Sequence, residues 1–185
     1  MIIMILYQIF MDPTNPILQR CTPTVKAWAE RHNIHYHCDT EIPEKYLHYK
    51  HMRSIADCMR LDFVLGTDDD VFYVDGDIAF KKDFEIDLES LHKQDIDVVS
   101  TPGVTFAIFI KLKGKTALFE DVAAQYQDHV TTDPKYHRRS PKLNRIWEAT
   151  IPKYNMLYLQ WPVHHHMMSR YVSIKRSQLR EECEI

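Results

Sequence analysis

"VFYVDGDIAF", residues 71–80, sets two acids at the end of an apolar run. Val71 to Val74 form an apolar and aromatic run of the kind that fills the middle of a sheet. The run ends on Asp75 and Asp77, one residue apart. In an extended chain residues i and i+2 point to one face, so the two carboxylates are expected to converge. Two like charges so close are costly unless a cation joins them, and carboxylate oxygens suit Mg²⁺ or Mn²⁺. Gly76 between them is expected to let a ligand approach the backbone. The competing reading of "DGD" is a surface turn with solvated acids. The apolar strand before it favours the first, because open α/β sheets take ligands beyond the carboxyl ends of their strands.

Outward from this strand, the pattern alternates between strands and helices. "MIIMILYQIF", residues 1–10, reads as a first buried strand, lacking the basic flank of a leader and shorter than the roughly 20 residues a membrane helix needs. "TPTVKAWAERHN" reads as a helix to about His32, with Thr22 as N-cap and Pro23 at its first position. "NIHYHCD" has the period of a half-buried strand, with Ile34, Tyr36 and Cys38 inward and His35 and His37 toward solvent. In "HMRSIADCMRLDFVL" Met52, Ile55, Ala56, Met59 and Phe63 make an apolar helix face, with Arg53, Asp57 and Arg60 opposite. "GTDDD" follows, and Asp68 to Asp70 read as a solvated turn rather than a second metal locus. "DIDVVS", "TFAIFIKL" and "NMLYLQW" read as strands and "KTALFEDVAAQYQDHV" as a helix, so an α/β fold is expected.

The 185 residues suit one domain, read as a donor- and metal-binding half, 1–100, and an acceptor half, 101–185. Apolar residues make up 45% and charged residues 26%, which argues against disorder, and a net charge of -3 gives no global attraction to nucleic acid. The four cysteines, Cys21, Cys38, Cys58 and Cys183, form no C-x-x-C, so a reduced, cytoplasmic setting is expected. With only four glycines, and neither G-x-G-x-x-G nor G-x-x-x-x-G-K-[ST], no glycine loop cradles a phosphate. A metal held by Asp75 and Asp77 would neutralise it instead, which points to a metal-bridged diphosphate ligand.

Residues 56 to 77, "ADCMRLDFVL" through "VFYVDGD", resemble the Asp-x-x-Arg helix and Tyr-x-Asp-x-Asp strand of GT-A glycosyltransferases, in the sugar-binding DXD group related to yeast mannosyltransferases and clostridial glucosylating toxins. "YQIF" resembles that group's opening "HQIW" strand. The resemblance implies a GT-A fold, a Rossmann-like nucleotide-sugar-binding domain with a central mixed, mostly parallel sheet. It implies Asp75 and Asp77 as the DXD, holding Mn²⁺ or Mg²⁺ and the donor diphosphate, with Asp57 and Arg60 on the donor sugar. Phe10 would lie against the nucleotide base, Tyr73 near the nucleoside, and Gln8 among the donor-binding residues. The expected reaction is transfer of a hexose from a nucleotide sugar, a UDP-sugar, to a hydroxyl acceptor with retention, Asp75, Asp77 and Arg60 being its catalytic residues. Each assignment has a plainer competitor: Asp57 with Arg53 and Arg60 as a surface ion-pair ladder, Phe10 and Tyr73 as core aromatics. The Gly-Gly usual before the strand is missing, Asp70 and Val71 standing there.

In the second half, "WPVHHHMM" offers His164, His165 and His166, of which His164 and His166 would share a face and complete the metal's coordination as the family does. "KYHRRSPKLNR", residues 135–145, is a local basic segment. It reads as a solvated charge run or as a lid over the departing diphosphate that could meet an anionic acceptor, nucleic acid included. Two rival readings stand. "FYVDGD" also resembles the Asp-x-Asp strand of haloacid-dehalogenase-type phosphatases, although Ala79 replaces the expected threonine. The chain could also be a GT-A-like module that binds a nucleotide sugar without turnover.

Overall fold

The computed structural model of the chain describes residues 4–49, 52–101, 106–132, 142–161 and 163–164. In chain order its main elements are β1 Met4–Ile9, α1 Leu18–Arg31, β2 His35–Asp39, α2 Met52–Leu65, β3 Asp70–Val74, β4 Ala79–Phe80, α3 Leu88–His92, β5 Val98–Ser100, β6 Ile108–Lys111, α4 Ala117–Thr132, α5 Lys142–Thr150, β7 Met156–Tyr158 and β8 Val163–His164.

Six strands form one sheet in the order β2-β1-β3-β6-β5-β7. β1 runs parallel to β2 and β3, with Tyr7 opposite both His37 and Tyr73, and β5 runs parallel to β7. β6 lies antiparallel between β3 and β5. One strand is reversed, so the sheet is mixed and mostly parallel, as expected.

Strand parity sorts the core into two layers. Tyr7, Ile9, Val71, Tyr73, Val98 and Phe109 point to the face covered by α2, α4 and α5. Leu6, Phe72, Val74, Val99, Ile108 and Ile110 point to the other, where Val25, Trp28 and Ala29 of α1 pack. A sheet covered on both faces needs apolar side chains in both registers. That is why residues 71–74 read as an unbroken apolar run.

Three local readings change. α1 begins at Leu18, so Pro23 lies inside the helix and not at its start. The start signal is Asn15: its Oδ1 accepts the Ile17 N–H at 2.9 Å, and its carbonyl accepts the Gln19 N–H at 3.1 Å. His37 does not simply face solvent; its ring lies 5.0 Å from that of Phe63 and its Nε2 is 3.1 Å from Asp39 Oδ1. Asp70 is no solvated turn residue. It opens β3 buried, accepting the Lys113 N–H at 2.7 Å and facing His92 Nε2 at 2.8 Å. α3 and α5 were not anticipated as helices. Among the described residues no helix is long and apolar enough to cross a membrane.

Candidate active site

The carboxyl ends of β1, β2 and β3 lie side by side. Phe10 follows β1 and its N–H donates to the Asp39 carbonyl at 2.7 Å, while Asp75 follows β3 and its N–H donates to the Ala107 carbonyl at 2.7 Å. Beneath them Gln8 is fully buried. Its Oε1 accepts the Tyr36 hydroxyl at 2.9 Å and its Nε2 points at the Asp75 carbonyl, 3.4 Å away. Gln8 therefore ties β2, β1 and the turn after β3 together from below.

Asp75 to Ile78 form a turn, closed by the Ile78 N–H on the Asp75 carbonyl at 3.1 Å. The alternation of an extended strand thus stops at Val74, and Asp75 and Asp77 are the first and third residues of a turn, not neighbours on one strand face. Gly76 has a different role from the one expected. A Cβ there would stand 3.0 Å from the Ile9 carbonyl oxygen and 2.8 Å from Leu18 Cδ2. The close approach is to β1 and α1, and it brings the turn against the end of β1.

The centre of the site is Arg60 of α2, 6% exposed, with Asp57 one helical turn earlier, 5% exposed. Both lie on the buried face of α2, so the surface ladder does not exist; Met52 is exposed instead. The Arg60 guanidinium donates from Nη2 to Asp75 Oδ1 at 2.8 Å and from Nη1 to the Phe106 carbonyl at 2.6 Å. Its Cζ lies 4.2 Å from the Tyr73 ring centroid and 4.4 Å from that of Phe106. Charged groups are seldom this buried unless paired. The pairing is supplied by Asp75, with Asp57 Oδ1 further off at 3.8 Å.

Tyr73 donates its hydroxyl to the same Asp75 Oδ1 at 2.6 Å. Burial pushes its phenol well above the usual pKa, so it remains a donor at neutral pH. Asp57 accepts from the Tyr126 hydroxyl of α4 at 3.3 Å. Burial raises its pKa to about 6, against the opposing pull of the Arg60 guanidinium, with the Asp75 carboxylate adding to the rise.

Of the residues expected from the sequence, Arg60, Tyr73 and Asp75 meet in one hydrogen-bonded group, and Asp57 joins it through an ion pair with Arg60 at 3.8 Å. Phe10 stands at the neighbouring strand end, partly exposed, and Asp77 on the turn, also partly exposed. The antiparallel pair β4–β8 sets the His164 backbone opposite Ala79, two residues beyond Asp77. His165, His166 and residues 135–141 of the basic segment lie outside the described residues; Lys142 and Arg145 belong to α5. Among the described residues no three His, Cys, Asp or Glu side chains stand together as a set of metal ligands.

The fold is that of a known glycosyltransferase. A solved structure described as a glycosyltransferase involved in the glycosylation of the major capsid of PBCV-1 superposes with a TM-score of 0.55, covering 85% of this chain and 82% of that one at 12% identity. The likeness is one of fold, and a GT-A-like arrangement accommodates the sheet and its two helical layers. No protein-family model and no curated protein matches the sequence.

Sequence reasoning missed three members of this region. Asp39, the last residue of β2, takes the Tyr7 hydroxyl on Oδ2 at 2.6 Å. Its place at a strand end was a usable signal. Tyr126 and Phe106 reach the site from the second half of the chain, and no local pattern marks either as more than core.

Proposed function

We propose that the chain is a metal-dependent glycosyltransferase that moves a hexose from a UDP-sugar to a hydroxyl acceptor with retention of configuration. The observation that carries this reading is the buried Arg60–Asp75 pair at the carboxyl end of the parallel strands. It joins the helix and the turn that the Asp-x-x-Arg and Tyr-x-Asp-x-Asp motifs single out. The glycosyltransferase fold of the structural neighbour supports it.

Asp75 and Asp77 offer hard carboxylate oxygens of the kind Mn²⁺ and Mg²⁺ prefer, and the His164 backbone pairs with that of Ala79, two residues beyond Asp77. Two carboxylates suffice for ions that take their remaining ligands from phosphate and water. Such an ion supplies electrostatic stabilisation of the charge that develops on the departing nucleoside diphosphate. The protein's own part is orientation. Arg60 and Tyr73 hold Asp75 Oδ1, and in this reading Asp57 and Arg60 hydrogen-bond the donor sugar. Phe10 lines the adjoining strand end for the base. With retention no dedicated general base is required.

Incubating the full chain with Mn²⁺ and UDP-glucose or related donors tests the reading. Slow release of UDP, abolished by Asp75→Asn or Asp77→Asn, is the expected result. Cleavage of phosphomonoesters without UDP release would instead identify a phosphatase, and nucleotide binding without turnover a binding module.

A further inference from the structure

We infer that Phe106 is a positioning residue for Arg60. Two consecutive carbonyls, those of Phe106 and Ala107, accept from the Arg60 side chain at 2.6 Å and from the Asp75 backbone at 2.7 Å. One dipeptide just before β6 thus sets where the guanidinium and the carboxylate meet. The carbonyl alone does not fix the plane of the guanidinium, because Arg60 Nε is buried with no hydrogen-bond partner among the described residues. The Nη2 bond to Asp75 and aromatic packing, from Tyr73 at 4.2 Å and Phe106 at 4.4 Å, complete the hold. A ring face attracts a cation most where water is excluded.

The Phe106 ring is itself held from behind. Trp147 of α5 lies 4.7 Å from it and Phe109 of β6 lies 5.7 Å from it, centroid to centroid. Phe106 is itself buried, 4% exposed. It therefore links α5, in the second half of the chain, to the one buried cation of the site. The arrangement of Arg60 stands on this geometry alone, whereas its effect on turnover rests on the proposed donor-sugar reading.

The test replaces Phe106 in the full chain with phenylalanine carrying one, two or three ring fluorines, which weakens the negative ring face while keeping its shape. Two measurements follow: solvent exchange of the Arg60 Nε–H, assigned by its disappearance in Arg60→Lys, and Mn²⁺-dependent hydrolysis of UDP-glucose. Exchange should accelerate stepwise, and kcat/KM should fall stepwise to about a tenth. Phe106→Leu, which removes the ring and keeps the carbonyl, should move the Arg60 Nε–H resonance away from its ring-shifted position. An Arg60 Nε–H whose exchange is the same across the series overturns the inference. If the unaltered chain hydrolyses no sugar nucleotide, the proposed activity fails by itself, and the exchange rates still decide the role of Phe106.

Discussion

Arg60 Nη2 of α2 and Asp75 Oδ1 beyond β3 lie 2.8 Å apart, and the same oxygen takes the Tyr73 hydroxyl at 2.6 Å. A helix cation, a strand phenol and a turn carboxylate meet at one atom. The helix cation is the deeply buried partner, which makes removing it the harsher change.

Arg60→Leu leaves Asp57 buried and Asp75 facing it with no cation between them. Breaking a buried pair from one side typically costs about 3–5 kcal/mol. Urea unfolding at pH 7 should show a loss in that range. Arg60→Lys keeps the charge but not the flat fork that serves Phe106 and Asp75 together, so it should recover only part of the loss. Full recovery by lysine would mean that charge alone matters here.

Asp57 gives the stability curve a defined slope. Its folded pKa of about 6 lies above its ordinary 3.8, so between those values the folded chain binds more protons than the unfolded one. Stability contributed at this site therefore falls as pH rises from about 4 to about 6, by roughly 3 kcal/mol in total, and is level above that. Subtracting the profile of Asp57→Asn from that of the unaltered chain should isolate this limb. Two parallel profiles would show that Asp57 ionises normally.

The buried polar group explains where sequence reading succeeded and where it stopped. β3 was legible because Val71 to Val74, four of its five buried residues, lie in a sheet covered on both faces and so are apolar in both registers. The α/β class followed from strands alternating with helices, and the mostly parallel order from the resemblance to GT-A glycosyltransferases. α2 was legible as a helix, yet its periodicity set Asp57 and Arg60 opposite the apolar face and left a surface ion-pair ladder as a competing reading. A helical wheel places charge outside by default and has no knowledge of Asp75 arriving from 15 residues further on. The turn at Asp75–Ile78 was the competing reading of "DGD", set aside because the strand before it is apolar, and Ile78, Ala79 and Phe80 continue that apolar pattern. Phe106 and Tyr126 gain their meaning only from contacts across the fold.

Gly76→Ala tests the packing of that turn. The added Cβ would meet Leu18 Cδ2, which can swing away, and the Ile9 carbonyl oxygen, which belongs to the backbone. Overpacking of this kind costs about 1–3 kcal/mol. The double variant Gly76→Ala/Leu18→Ala should regain only the share due to Leu18. A neutral Gly76→Ala would show that the turn can lift from β1 freely.

Lys111 is fully buried in β6, and its ammonium donates to the Thr67 carbonyl at 2.6 Å and reaches the Val64 carbonyl at 3.5 Å, at the end of α2. Lys111→Met keeps the stem and removes the donors, leaving those carbonyls unserved. Thermal unfolding should show a loss of about 1–3 kcal/mol. Amide exchange should quicken over the last turn of α2 more than over α4, since only α2 loses a cap.

Tyr73→Phe separates the orientation of Asp75 from its charge. The variant keeps the ring that packs on Arg60 and on Phe109, 5.3 Å away, and removes only the hydroxyl bound to Asp75 Oδ1. Loss of one hydrogen bond to a charged group is worth about 1.5–3 kcal/mol, so stability should fall by no more than that. Asp75 keeps Arg60 as a partner but gains freedom to rotate about it. Under the proposed activity, donor hydrolysis should therefore drop about tenfold while the requirement for Mn²⁺ persists, since both carboxylates remain. Asp75→Asn, which removes the charge, should abolish hydrolysis instead. Equal losses in the two variants would mean that the Tyr73 hydroxyl does more than hold the carboxylate still.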